Sequence, residues 1–177
     1  MNGLGSIKLR NSTFNSRLDC RKQIFKEQVD ILNCNFNGDV IFEGSTFNKN
    51  IEINGSDFQK AVNFHDITYK EQITINSCHF EDGFDNNESR YNGVVSIINS
   101  KFKAGFYSQG IKCIENCYYH SSEFQNAVFN FSTFSKNCEF DHSIFDSSAL
   151  FHKTIFNGSV RAIKMFPFLL ITLNQMP

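Results

Sequence analysis

Apolar residues recur along this chain at a fixed interval that is neither the two-residue alternation of a half-buried strand nor the 3.6-residue period of a helix. From Cys34 to Phe80 an aromatic stands every eleven residues, at Phe36, Phe47, Phe58, Tyr69 and Phe80. A second series, Phe42, Ile53, Phe64 and Ile75, falls between them, so the apolar centres lie alternately six and five residues apart. Two residues before each centre is a small or β-branched side chain: Cys34, Val40, Ser45, Ile51, Ser56, Val62, Ile67, Ile73 and Cys78. The rule extends back through Ile31, Phe25, Cys20 and Phe14 to Leu9. It extends forward through Asn86, Tyr91, Ile97, Phe102, Ser108, Cys113 and Tyr119 to Phe124. One residue is dropped there, and Phe129, Phe134, Phe140, Phe145, Phe151, Phe156 and Ala162 continue it. A fixed internal period of this kind is the signature of a solenoid.

Every fourth centre, taken as a column, keeps its own residue type. One column is Phe14, Phe36, Phe58, Phe80, Phe102, Phe124 and Phe145, preceded throughout by Ser or Cys two residues earlier. Another is Ile31, Ile53, Ile75 and Ile97, which passes to Tyr119, Phe140 and Ala162. An eleven-residue coil would not separate Phe from Ile, so the pattern predicts an all-β chain wound in 22-residue, four-sided coils. About seven such coils, at the usual strand spacing of about 4.8 Å, make a rod of about 33 Å. Stacked Phe rings form its interior ladder. A Ser two before a centre needs an inward hydrogen-bond partner, since an unpaired buried hydroxyl costs about 1–3 kcal/mol. The Asn-, Gly-, Asp- and Lys-rich steps FNG, FEG, FNK and FQK are expected to supply positive φ at all four corners of a coil.

Asn86 and Ser108 interrupt the column otherwise filled by Phe42, Phe64, Phe129 and Phe151, and their minus-two residues are the bulky Phe84 and Phe106. Large and small have then exchanged places on that side, or the segments around them bulge outward as loops that form a ligand notch. The repeat occupies residues 1–162. The tail 163–177 is apolar from Met165 to Leu173, has Pro167 inside, and is too short to span a bilayer. It is expected to cap the open end of the solenoid or to make a homodimer contact.

Composition adds exclusions more than it adds function. Among 177 residues there are 21 Phe, 2 Pro and no Trp, so one aromatic type fills the core of a single domain. Seventeen Lys and Arg against 18 Asp and Glu give no long-range field for nucleic acid or anionic lipid. The six cysteines, Cys20, Cys34, Cys78, Cys113, Cys117 and Cys138, all fall on inward positions and read as small buried hydrophobes rather than a disulfide framework. With no apolar run of signal-peptide length in MNGLGSIKLRN, the expected compartment is the cytoplasm.

The residues offer no site chemistry. His65, His120 and His152 follow a centre, His79 precedes one, and His142 sits at a corner, so all five point outward without metal-ligand spacing. Asp141, His142 and Ser143 are adjacent and cannot converge as a triad. No P-loop, GxGxxG or HExxH is present, and the aromatics are committed to the core rather than to base stacking. No catalytic, cofactor-binding or metal-ligating residue is expected, and no cofactor. An enzyme of the carbohydrate-active or acyl-transfer β-helix kind would show converging carboxylates on one face. A scaffold would show a flat face of mixed charge.

The triplets STF, CNF, SDF, CHF, SKF, SEF and SIF, each with a small residue two before Phe, resemble the pentapeptide-repeat family over roughly residues 7 to 162. The resemblance implies a right-handed quadrilateral parallel β-helix, in keeping with the hand of parallel crossovers. Units that alternate five and six residues match the looser Phe-centred branch of that family. Some members inhibit DNA gyrase by mimicking duplex DNA with a strongly acidic rod, and the charge balance here does not provide that mimicry. The function expected is a non-catalytic interaction scaffold that presents a rigid β-helical surface to a protein partner. No direct nucleic-acid contact and no membrane span are expected.

Overall fold

The computed structural model describes residues 5–162. The tail 163–177, read above as a cap or dimer contact, lies outside the described residues, as do the first four residues. Among the described residues there is no helix, and every strand pairing is parallel.

The chain winds as a four-sided solenoid. The first side holds the Ile column in an eight-stranded sheet that runs from Ile7–Arg10 through Ile51–Asn54 and Ile73–Asn76 to Val160–Arg161. The second side carries the Phe column, from Thr13–Phe14 to the start of Ile144–Leu150, and the third begins at Leu18–Asp19. These two sides are joined into one 12-stranded sheet by Glu123–Val128, which pairs with strands of both. The fourth side is a seven-stranded sheet from Ile24–Phe25 to Ile155–Phe156. Register confirms the 22-residue coil: Phe58 stands beside Phe36 and Phe80, and Ile75 beside Ile53 and Ile97.

The dropped residue lies at one corner. Lys103, Ala104 and Gly105 separate Phe102 from Phe106, but only Gln125 and Asn126 separate Phe124 from Ala127, their register partners. The shorter corner straightens, and the strand runs through it from the second side into the third.

The core is the ladder that the column predicts. Successive Phe rings from Phe14 to Phe145 stack at centroid distances of 4.6–5.2 Å and within 16° of parallel, matching the rise of one coil. The fourth side stacks Phe25, Phe47, Tyr69 and Tyr91 in the same way until Cys113 interrupts it. Five cysteines are buried, Cys20 is half-buried, and all six are free thiols. Burial pushes the Cys78 thiol up to about 12.

The corners correct one expectation. Positive φ occurs at two corners of each coil, not four: Asn11, Asn33, Gly55, Ser77, Asn99, Ser121 and His142 before the second side, and Lys22, Gly44, Asp66, Glu88, Gly110, Phe131 and Lys153 before the fourth. These are the five-residue steps, apart from Phe124 to Phe129, where the shortened corner straightens without a left-handed residue. A left-handed residue turns the chain within one fewer residue, whereas the six-residue steps turn without it. Gly38, Gly93 and Gly158, at six-residue corners, serve close approach instead. A Cβ on Gly38 would come within 2.6 Å of the Ser16 backbone.

The left-handed corners also explain the Ser and Cys that follow them. The amide of the residue after the turn is caught by the hydroxyl one coil on: Cys34 N donates to Ser56 Oγ at 3.0 Å, and Cys78 N to Ser100 Oγ at 3.2 Å. Each hydroxyl in turn donates to a carbonyl, Ser56 to Asn54 and Ser100 to Ile98. The inward hydrogen bonds expected of these serines are thus made to backbone. On the third side Phe84 and Phe106 are buried with Asn86 and Ser108, in register with their neighbours. Large and small have exchanged places there, and no loop bulges outward to form a notch.

Candidate interaction surface

Function, on a rod whose interior is filled, must come from outward side chains, and parity fixes those. The residue before or after a centre points out, and register sets it above its equivalent one coil away. On most of the surface this produces ladders of paired charge. Lys49 meets Glu71 at 2.8 Å, Glu81 meets Lys103 at 2.6 Å, and Glu115 meets Lys136 at 2.6 Å, each pair one coil apart. Lys101 pairs with Glu123, and Asp57 meets the His79 ring at 2.9 Å. Asn side chains ladder similarly, as where Asn33 Nδ2 donates to Asn11 Oδ1 and Asn76 Nδ2 to Asn54 Oδ1. These contacts are solvent-exposed and contribute little each to stability. They leave a flat surface of mixed, internally matched charge.

The third side departs from that pattern toward its C-terminal end. Its outward column reads Asp19, Ile41, Asn63, Asp85, Tyr107, Val128 and Leu150. Polar residues dominate the early coils and apolar ones the last three. Tyr107 is 41% exposed and Leu150 41%, with Val128 half-buried between them. The Tyr107 ring lies across the corner at Gly105, where an added Cβ would come within 2.5 Å of its atoms. Phe131 stands at the corner that ends this side, 52% exposed, with φ of 58°. His152 meets its ring edge-on at 5.5 Å, and the Lys153 ammonium sits 5.8 Å from its centroid. Among the described residues two aromatics are therefore exposed, against the expectation that the core uses them all. Tyr107 was legible by parity, because it precedes a centre. Phe131, the residue after the triplet that surrounds Phe129, was hidden by the consistency with which Phe fills the core elsewhere.

The histidines lie outward as expected, with His79 and His65 in contact with the carboxylates Asp57 and Asp85 at 2.9 and 4.0 Å. His142 is exposed, while Asp141 and Ser143 on either side of it are buried, so the adjacent letters do not converge. One grouping was not anticipated: His120, Glu139 and Asp141 approach one another on the first side. The one-residue drop makes neighbours there of residues 21 apart, which shifts the spacing at which such a group would be sought.

Residues 24–68 match the family model described as pentapeptide repeats (9 copies). The paired coils of that segment continue on both sides of it. That segment carries pentapeptide repeats. No curated protein matches its sequence. Among solved structures it resembles a trypsin-treated variant of QnrB1, described as a plasmid-mediated fluoroquinolone resistance protein. That likeness has 14% identity, 88% of this chain and 91% of the other covered, and a TM-score of 0.30. At that level the neighbour carries no argument about what this repeat protein binds. Among the described residues no helix is long and apolar enough to cross a membrane.

Proposed function

We infer that this chain is a non-catalytic scaffold which docks a protein partner on the C-terminal half of its third side. The observation that carries the reading is Phe131. A bulky aromatic held at positive φ is strained, costing about 1–2 kcal/mol relative to an ordinary backbone conformation. Equivalent corners use Gly, Lys, Asp or Glu, so folding does not require Phe. An exposed, strained aromatic beside Tyr107, Val128 and Leu150 is better suited to a contact than to the fold. Tyr107, laid flat on its glycine corner, is an anchor that loses little freedom on binding. A reducing cytoplasm suits the six unpaired thiols. A DNA-mimic rod would need unpaired negative charge, whereas here most carboxylate ladders carry a cation one coil away.

The test is quantitative cross-linking and mass spectrometry from the native host with three forms of the full chain. These are wild type, Phe131→Asp with Leu150→Glu, and Thr74→Lys on the first side as a surface control. A specific partner should be captured by wild type and by Thr74→Lys at equal yield, and lost at least tenfold by the double variant. Equal capture by all three forms would reject this face.

A further inference from the structure

Burial at the C-terminal end of the solenoid differs from side to side. Phe145 and Phe151 belong to the last described rungs of the second and third sides, yet they are only 3% and 4% exposed. Phe14 and Cys20 hold the equivalent places at the other end and are half-buried, although Phe14 stacks on Phe36 as Phe145 stacks on Phe124. On the fourth and first sides the last rungs stay open: Phe156 is half-buried and Val160 is 44% exposed. A ring with one ladder neighbour keeps its other face in water unless something packs on it.

The backbone makes the same demand. On the third side the amides of the centre and of the residue two before it donate to the following coil: Val40 to Ala61 at 3.1 Å, Phe42 to Asn63 at 2.8 Å and Phe129 to Leu150 at 2.7 Å. Ala149 and Phe151 hold those positions in the last described coil and are buried. Their amides need carbonyls beyond them.

The sequence after Ala162 supplies a rung at the 22-residue offset that pairs Cys138 with Val160. Ile171 and Leu173 fall one coil on from Ala149 and Phe151, a β-branched residue two before an apolar centre, with the polar Thr172 in the outward place. Lys164 falls one coil on from His142, at a left-handed corner, a conformation the chain already gives to lysine at Lys22 and Lys153. Pro167 falls at the centre of the second side. There the residues that flank a centre donate back, Asn35 to Ser12 and Asn37 to Phe14, so the centre's own amide faces onward. Pro167 lacks only that onward amide, which is the placement proline takes in an edge strand. Pro177 falls one coil on from Ile155, whose amide donates back to Ser132. Proline there cannot join the ladder, so the fourth side is not extended. These two are the chain's only prolines.

We propose that the tail winds onto the open end as a partial eighth coil, with residues 165–167 on the second side and 171–173 on the third, and that Pro167 ends the ladder there. The occupant is the chain's own tail in continuous register, not a second copy. The added rung lies along the axis, so the outward faces of Tyr107, Phe131 and Leu150 stay free. This cap and the docking surface stand or fall separately.

The experiment is hydrogen–deuterium exchange of the full chain, read by mass spectrometry on peptides covering 163–177, at two protein concentrations about 100-fold apart. In wild type the amides of 166–173 should be protected at least about tenfold over an unstructured peptide, equally at both concentrations. Leu173→Asp puts a charge on an inward position and should abolish that protection while leaving the mid-rod strand Ile51–Asn54 protected. Leu170→Asp falls at a corner in the same register and should leave the tail protected. Free-peptide exchange in wild type overturns the proposal. Protection lost on dilution overturns it as well, by assigning the end to a second copy. Equal behaviour of the two variants also overturns it, because apolar contact without register would not tell them apart.

Discussion

The second and third sides of the solenoid are built from the same coils, yet only one of them tolerates rearrangement. On the second side the centre is Phe in all seven coils, and the residue two before it is Ser or Cys. On the third side the centre runs Cys20, Phe42, Phe64, Asn86, Ser108, Phe129 and Phe151, while the minus-two position runs Leu18, Val40, Val62, Phe84, Phe106, Ala127 and Ala149. Where the centre shrinks, the minus-two residue swells. Both side chains enter one interior, so the coil conserves filled volume rather than the position of the ring. The rings find new partners accordingly: Phe84 packs edge-on to Phe80 at 5.1 Å and to Phe102 at 5.6 Å. The second side cannot make this exchange. Its minus-two residue follows a left-handed corner, and its hydroxyl catches a backbone amide that turns away from the ladder. A Phe at that position would fill space but leave the amide without an acceptor. The third side follows a six-residue corner, where no such amide needs catching.

The largest effect should come from cutting the unbroken column. Phe80 stacks on Phe58 at 4.7 Å and on Phe102 at 4.6 Å and is fully buried. Phe80→Ala leaves a cavity mid-column, and urea unfolding should show a loss of about 3–5 kcal/mol. A loss under about 1 kcal/mol would mean that the ring is not part of a packed ladder.

A smaller effect tests the exchange itself. Asn86→Phe adds a ring beside Phe84 without removing one, and overpacking should cost about 1–3 kcal/mol. Adding Phe84→Val restores the arrangement of Phe64 with Val62 one coil earlier, and should recover most of that cost. The signature is non-additivity: the double variant is more stable than the sum of its singles predicts. Strict additivity would show that the two positions do not share one volume.

Next in size is the hydroxyl that the second side requires. Ser100→Ala removes the acceptor of the Cys78 amide, a buried group, and should cost about 1–3 kcal/mol in the same unfolding measurement. Ser100→Cys repeats what the chain itself places at Cys34 and Cys78, and should cost less than Ser100→Ala. If both substitutions were silent, the difference between the two sides would not lie in this hydrogen bond.

The same contrast shows what the sequence could and could not reveal. Coil length, four sides and the Phe ladder were legible, because residue type repeats in columns and a column has one meaning in a solenoid. The exchange at Asn86 and Ser108 was legible because Phe84 and Phe106 compensate two residues earlier. Which corners use positive φ was not read from residue type, since Asn11, Lys22, Glu88 and Phe131 have little in common chemically. The signal was step length, five against six, which reports how tightly the backbone turns. The grouping of His120, Glu139 and Asp141 was hidden by the short corner at Gln125 and Asn126, which changes the coil offset from 22 to 21 just before it. The apolar stripe was hidden for a different reason. Phe is so consistently a core residue in this chain that an outward Phe131 does not announce itself.

The smallest effect concerns a polar atom carried inside without reward. Tyr69 continues the Phe25 and Phe47 stack of the fourth side and is fully buried. Its hydroxyl finds no well-formed hydrogen bond, although Tyr91 stacks on it at 4.6 Å. Burial raises its pKa well above that of a free phenol, and the Tyr91 hydroxyl offsets only part of that rise. Tyr69→Phe keeps the ring and removes the orphan oxygen, so stability should stay level or rise by up to about 1 kcal/mol. If Tyr69→Phe instead lost more than about 1 kcal/mol, the hydroxyl would have a partner that holds it. The fourth side would then resemble the second, with a fixed polar requirement, rather than the exchangeable third.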